Sequence, residues 1–303
     1  MSAPSFSVIT PSFNQAQFIR ANIEAVLAQD YAHIEHIVID NASTDGTVDI
    51  LREYPSVQWV SEPDTGQSDA INKAVLRSSN DWIVWVNSDD FLLPCALTQL
   101  AKYIEQHRQC SVIYSNIFHV DNSGNLTGKV QPIYTPWKLR HWWWNSLQLW
   151  QPGTVFKRDV FKSVGAVNTE LHFAMDFDFM LRAQDKYRFD YLDAELVAFR
   201  HHDEQKGHGN EMPFIDERIR STLAYWKRRT TLSYSFYRVM LYFVRGSLMF
   251  VQGLREFEHG NRAHGKLLIG RGLRRNPFSI FRPEHAGFWL RKILGRKRYY
   301  RHR

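Results

Sequence analysis

The sequence predicts an α/β protein: a mostly parallel central sheet with helices on both faces, followed by a C-terminal helical extension. Two observations carry this. Over the first 120 residues, short apolar runs of strand type alternate with segments whose apolar residues recur at helical spacing. Past Met212 the pattern turns helical, with bulky aromatics and arginines. Such alternation builds βαβ units, whose right-handed crossovers place helices on both sides of a sheet.

The elements follow in order. Phe6–Thr10 is an apolar run of strand type, and Ile19, Ile23, Val26 and Leu27 then mark a helix. Asn14 with Gln17 three residues on reads as the capping pair at that helix start. Ile34–Asp40 is a second strand and Thr44–Tyr54 a helix with Val48 and Leu51 inward. Val57–Ser61 is a third strand, and Ser68–Arg77 a helix burying Ile71, Ala74 and Val75. Trp82–Asn87, apolar on both faces, reads as a buried parallel strand. Ala96, Leu97, Leu100, Ala101 and Ile104 share one helix face, and Ser111–Ser115 is the next strand. Tyr134 to His208 is mixed and rich in tryptophan, and a division of the chain is expected near Gly209–Pro213.

Composition narrows the class. The chain has 303 residues, 44% apolar and 23% charged, as in a folded globular protein. Cys95 and Cys110 have no metal-type spacing, no disulfide framework is expected, and a reducing cytosol fits. No secretory leader is read at the start. The run Tyr234–Leu254 is interrupted by Arg238 and Arg245, so no membrane span is read there. Of the formal charge of +7, residues 271–303 hold eleven Lys/Arg against one acid, which leaves the first 270 positions at about −3. No nucleic-acid partner is expected of the body. The basic, aromatic tail suits an anionic membrane surface; its competing uses are a solvated extension with a homodimer contact, and RNA.

Ligands of such sheets bind outside the carboxyl ends of the strands. Those ends are Thr10-Pro11-Ser12-Phe13-Asn14, Asp40-Asn41-Ala42-Ser43, Glu62-Pro63-Asp64 and Asn87-Ser88-Asp89-Asp90. Adjacent carboxylates closing a buried strand call for a cation, and hard oxygen ligands suit Mn²⁺ or Mg²⁺. The competing use of Asp89 or Asp90 is a helix cap. Asp176, where a helix begins, fits a general base or again a cap. His202 fits a metal or phosphate ligand or a structural histidine. The His141–Trp144 cluster with Trp150 reads first as packing, second as a sugar platform. Gly66 is a turn residue, and the chain holds neither GxxxxGK[ST] nor GxGxxG.

Taken in order, these segments resemble the family 2 glycosyltransferases. The matching residues are Val8–Gln15, Val38–Thr47, Ser61–Lys73, Trp85–Asp90, Gln151–Phe156 and Met175–Phe179. The resemblance implies the Rossmann-like GT-A fold over residues 1–210, with a nucleotide-sugar part of about 1–120 and an acceptor part of about 121–210, and a basic helical extension over 211–303. It implies donor-binding roles for Pro11, Ser12, Phe13, Asn14, Asp40, Asn41, Asp64, Gln67, Asn72, Asn87, Ser88 and Asp89. It implies metal ligation by Asp89, Asp90 and His202, and a catalytic base at Asp176. Two departures stand out: Asn41 replaces the second acid of the Asp-Asp pair, and Asn87 replaces the first acid of the Asp-x-Asp motif. The Gln-x-x-Arg-Trp motif of processive synthases is missing, which implies single sugar addition. The implied partners are a UDP-, GDP- or dTDP-sugar and a glycan or lipid-linked acceptor, at the cytoplasmic face of a membrane. A nucleotidyltransferase and a non-catalytic sugar-nucleotide binder are the alternatives.

Overall fold

The computed structural model describes residues 3–143, 149–206 and 211–281. The chain divides into two compact units, residues 1–208 and 209–303.

The first unit is built on a nine-stranded sheet. Its parallel half is β3 (Gln58–Ser61), β2 (Ile34–Asp40), β1 (Phe6–Ser12) and β4 (Trp82–Trp85), in that order. The other half is mixed. Strand β8 (Thr154–Lys157) runs antiparallel between β4 and β6 (Val112–Val120). Strand β9 (Phe189–Arg200) lies parallel to β6, and the short β5 (Phe91–Leu92) and β7 (Leu126–Val130) pair antiparallel with β9 and β6.

Helix α1 (Ile19–Leu27) buries Ile19, Ile23 and Val26, and α4 (Ala96–Gln106) buries all five residues read as its inner face. One core cluster joins Val8, Val84, Leu97, Leu100, Val155 and Leu196; another joins Ile19, Ile23, Val38, Leu51 and Val57. The alternating residues Ile9, Ile37 and Ile39 are also fully buried, so both sheet faces are covered. Each such side chain contributes about 1.5–3 kcal/mol on burial.

Several boundaries differ from expectation. Asn14 does not cap α1: the helix starts at Ile19 with no side-chain cap, and Asn14 sits at φ 51° in the preceding loop. Helix α2 (Thr47–Arg52) is shorter than Thr44–Tyr54, because Ser43 to Gly46 are used to lock two loops together. Helix α7 (Met175–Ala183) starts four residues before Phe179, which puts Asp176 and Asp178 in its first turn, where acids suit the helix dipole. Cys95 and Cys110 are both free thiols, and burial pushes Cys110 up to about 11.

The second unit contains α8 (Met212–Lys227), α9 (Thr231–Glu258), α10 (Arg262–Arg275) and a short 3₁₀ turn, Pro277–Phe281. Helices α9 and α10 meet backbone to backbone at Gly246, Gly253, Gly265 and Gly272. A Cβ on Gly265 would lie 2.7 Å from the Gly253 carbonyl oxygen, and one on Gly272 2.7 Å from that of Gly246. Only glycine permits this approach. Among the described residues no helix is long and apolar enough to cross a membrane. Most of the basic tail, residues 282–303, lies outside the described residues, as does Trp144.

Candidate active site

The carboxyl ends of β1, β2, β3 and β4 define the site. The first two loops are tied together: Asn14 N donates to Ser43 Oγ at 2.7 Å, and Thr44 N donates back to Asn14 Oδ1 at 3.0 Å. Gln15 N donates to Thr47 Oγ1 and Ala16 N to Asp45 Oδ2, both at 2.9 Å. Against partial burial, hydrogen bonds from Thr47 and Ala16 hold the Asp45 carboxyl below the usual range. Gly46 turns at φ 98°, which favours glycine. Thus Ser43-Thr44-Asp45-Gly46-Thr47 is a scaffold for the loop that presents Phe13, which is 56% exposed. Pro11 and Ser12 are buried in β1, and among the described residues Ser12 Oγ, at that strand's end, has no hydrogen-bond partner.

Asp40 is fully buried, its carboxylate accepting from Ser43 N at 2.9 Å, Ser61 Oγ at 2.6 Å and Ser43 Oγ. It therefore fixes the loop and does not itself present a face to a nucleoside. Asn41 is the more available neighbour: its Oδ1 accepts from Asp64 N at 2.7 Å, and among the described residues Nδ2 has no acceptor. Asp64 is half-buried and accepts from Gly66 N; burial raises its carboxyl above the ordinary value.

The fourth strand end is a hub. Asn87 Oδ1 accepts from Gln67 Nε2 at 2.9 Å and Trp85 Nε1 at 3.0 Å, and Nδ2 donates at 3.4 Å to both Asp90 Oδ2 and Gln151 Oε1. The amide that stands at the first position of the acid motif is thus consumed inside the protein. Ser88 is buried. Asp90 is 1% exposed, and its Oδ1 accepts from Arg200 N at 3.0 Å. Burial, then the adjacent Asp89 charge, pushes the Asp90 carboxyl well above the ordinary carboxylate range. This corrects the expectation of two adjacent ligands: Asp90 is committed to the scaffold. Neither acid caps α4, whose N-cap is Cys95.

Asp89 remains partly exposed, at 23% of its side chain, with Oδ2 3.1 Å from Nε2 of His202, whose side chain is 5% exposed. Arg200 sets both ends of this pair. Its Nε donates to the Asp89 carbonyl at 2.9 Å, its Nη1 to the Asn122 carbonyl, and its guanidinium lies 5.2 Å from the ring centroids of Phe18 and Phe91. Phe18 also packs on the His202 ring, centroids 4.6 Å apart.

Two residues that sequence reasoning missed shape the turn from below. Asn22, on α1 and 1% exposed, donates both amide hydrogens, to Asn87 O at 3.0 Å and Asp90 O at 2.9 Å. Its Oδ1 can then only accept, so Thr10 donates to it, and buried His36 must donate from Nε2 to Thr10. That leaves His36 Nδ1 bare and, among the described residues, without a partner, and burial drives the imidazole down to about 3. Gln151 donates to the Trp85 carbonyl at 2.6 Å. The spacing of Asn22 in an apolar helix face was the signal available, since a polar residue on a buried face needs partners.

Asp176 lies inside the first turn of α7, whose N-cap is Ala174, so it is not a cap; its Oδ1 accepts from Phe177 N at 2.7 Å. The segment leading to it is pinned to α3 (Gln67–Arg77). Asn72 pairs with Val167 twice, donating at 2.8 Å and accepting at 2.9 Å, and Ser68 Oγ donates to the Leu171 carbonyl at 3.0 Å. Asn72 is therefore a clamp between segments, not a donor contact as expected. Lys206 Nζ reaches Gln67 Oε1 at 3.0 Å and the His172 carbonyl at 3.3 Å, which links the loop after β9 to the segment before α7. In the tryptophan cluster, Trp142 is buried edge-on to Phe177, and Trp150 packs with His119 and Phe199, so packing explains both.

The donor set suits a divalent ion. Two cis ligands each about 2.1 Å from one ion stand about 3 Å apart, close to the observed Asp89–His202 separation. Among the described residues no group of three His, Cys, Asp or Glu side chains gathers to hold an ion. An ion on this pair must take its remaining ligands from diphosphate and water, as Mg²⁺ commonly does.

A sheet with a parallel half at whose strand ends Asp89 meets His202 has the architecture of the glycosyltransferases of GT-A fold. Residues 7–165, more than half of the chain, match the family model described as Glycosyl transferase family 2, and the chain belongs to that family. A Bacillus subtilis protein provisionally named the teichuronic acid biosynthesis glycosyltransferase TuaG is 38% identical over 143 residues, 46% of this chain and 56% of the relative. Residues 1–349 of S. aureus TarS, solved with UDP-GlcNAc, superpose over 89% of this chain and 79% of that one at TM-score 0.61 and 18% identity; of the longer TarS chain 43% is covered. The mannosyltransferase PcManGT of Pyrobaculum calidifontis, solved with GDP-Man and Mn²⁺, matches over 98% of this chain and 89% of that one at TM-score 0.57 and 15% identity. The structural likenesses establish the fold.

Proposed function

We propose that the protein is an inverting glycosyltransferase that moves one sugar from a nucleotide-sugar donor to an acceptor hydroxyl in cell-surface polysaccharide or lipopolysaccharide assembly, at the cytoplasmic face of the membrane. The single observation that carries the reading is the contact between Asp89 and His202, 113 positions apart in sequence, at the edge where a donor diphosphate belongs.

Phe13 flanks the base and Asn41 Nδ2 hydrogen-bonds it. A neutral amide donor suits the carbonyl acceptors of several bases, so a UDP-, GDP- or dTDP-sugar is the donor class. Asp89 and His202 would hold Mn²⁺ or Mg²⁺, which would supply positive charge to stabilise the departing diphosphate. Asp176 takes the proton of the acceptor hydroxyl. The acceptor oxygen forms its bond to the anomeric carbon as the bond from that carbon to the diphosphate oxygen breaks, and the configuration inverts. Arg200, Asn22 and Asp90 hold the turn rigid throughout.

Asp176→Asn tests the base directly. Transfer should fall by about 10²–10⁴-fold, while donor binding, followed by thermal shift with Mn²⁺, stays near wild type. A variant that turns over normally overturns the assignment. The rival reading is a non-catalytic sugar-nucleotide binder, kept by the amide at Asn87. It predicts that wild type neither transfers sugar nor hydrolyses donor in Mn²⁺ without acceptor.

A further inference from the structure

The N-terminal half of α9 carries an apolar face that no other described residue covers. Leu232, Phe236, Val239 and Phe243 recur at helical spacing and, with Phe278 of the following 3₁₀ turn, are 42–82% exposed. Phe278 belongs to the same patch: its N–H donates to Asn276 Oδ1, and Asn276 Nδ2 donates to the Phe243 carbonyl at 3.3 Å. On the opposite side of the same helix Leu241 is buried. The helix thus has a second apolar face that, among the described residues, continues nothing in the unit's own core.

The charge around the patch is predominantly basic: residues 211–281 hold thirteen Lys/Arg against five acids, of which Asp216 and Glu211 pair with Arg245 and Arg255. Residues 218–255 contain eight Lys/Arg and no acid, and residues 259–281 five Lys/Arg and no acid. Arg271 and Arg274 are exposed on the last turns of α10, and Arg275 stacks over Tyr242 at 5.6 Å. A second copy joined by two-fold symmetry would set this basic surface against itself, which costs free energy. A nucleic acid would match the charge and leave Leu232 and Val239 unused. An anionic bilayer answers both features at once: its headgroups pair with the arginines and its acyl boundary accepts the apolar stripe.

We propose that the first half of α9, with Phe278 and the arginines at the end of α10, is an insertion surface that seats the protein on anionic lipid. This is separate from the electrostatic pull of residues 282–303, and it rests on the glycosyltransferase reading only in bringing a lipid-linked acceptor within reach. The basic residues supply attraction that salt screens; the stripe supplies attachment that salt does not.

The test is flotation of the full chain with phosphatidylcholine vesicles, with and without about one third phosphatidylglycerol, a composition chosen to give a charged surface. Wild type should float with the anionic vesicles and stay attached after a high-salt wash. The variant Leu232→Ser/Phe236→Ser/Phe243→Ser should lose the salt-resistant fraction, at least tenfold. Arg271→Glu/Arg274→Glu should weaken low-salt binding by about fivefold or more per arginine and leave the fold intact, since both side chains are exposed. Thermal shift with nucleoside diphosphate and Mn²⁺ checks the donor site in each variant, so loss of lipid binding with an intact donor response isolates this surface. The proposal is overturned if wild type ignores anionic vesicles, if the serine variant floats as wild type does, or if that variant instead turns a dimer into a monomer in light scattering or abolishes RNA binding.

Discussion

Replacing Asn22 by leucine should damage both the fold and the ion site. The side chain is buried and supplies two hydrogen bonds to the carbonyls that shape the Asn87–Asp90 turn. Leucine has the same branching and is no smaller, so water gains no room; the Asp90 carbonyl becomes a buried orphan, while the Asn87 carbonyl keeps Asp90 N as its donor. For that one carbonyl the loss is about 1–3 kcal/mol. The Thr10 hydroxyl is not counted, because it can turn to His36 Nε2 once that imidazole changes tautomer. For a unit of this size the melting temperature should fall by at least about 2 °C. Asp89 sits within the released turn, so Mn²⁺-dependent binding of nucleoside diphosphate, measured by calorimetry well below the transition, should weaken beyond tenfold. Asn72→Leu is the control: it loses two part-buried hydrogen bonds, to Val167. It should cost similar stability and slow transfer through Asp176 while sparing Mn²⁺ affinity. An Asn22→Leu protein with unchanged melting and unchanged Mn²⁺ affinity refutes the idea that α1 builds the ion site.

Two further outcomes follow from buried groups. His36 titrates near 3 in the fold and near 6.5 when unfolded, so the unfolded chain binds more protons between these values and stability declines as pH falls from 6.5 toward 3. At pH 5 the loss is about 2 kcal/mol relative to neutral pH; His36→Gln should flatten this part of the melting-temperature profile, and an unchanged profile contradicts the burial argument. Gly153→Ala would bring a Cβ 2.7 Å from Ile117 Cγ2 and 3.1 Å from the Ser115 carbonyl, and overpacking should cost about 1–3 kcal/mol in chemical denaturation; a neutral result means that β6 can give way.

The parallel half of the sheet was legible because its strands are buried on both faces and bounded by turn residues. The Asp89–His202 meeting was reachable only through the family resemblance, since nothing local to either residue announces a partner more than a hundred positions away. Residues whose side chains serve the backbone were misread for the same reason. Asn72, Asp40, Asp90 and Asn14 are polar residues at strand ends or on inward faces, and sequence cannot distinguish a group that awaits a ligand from one already spent on Val167, Ser43, Arg200 or Thr44. The length of β9 and the antiparallel insertion of β8 were invisible too, because both depend on pairing with β6, set by tertiary packing.

The central claim is that Asp89 and His202 together hold a divalent ion against a donor diphosphate. Anomalous diffraction at the manganese edge from crystals grown with nucleoside diphosphate and Mn²⁺ tests it most directly. A single peak in bonding contact with Asp89 Oδ2, His202 Nε2 and a diphosphate oxygen is the predicted result. Density for the nucleotide in the cleft with manganese elsewhere, or with Asp89 and His202 still bonded to each other, contradicts the account.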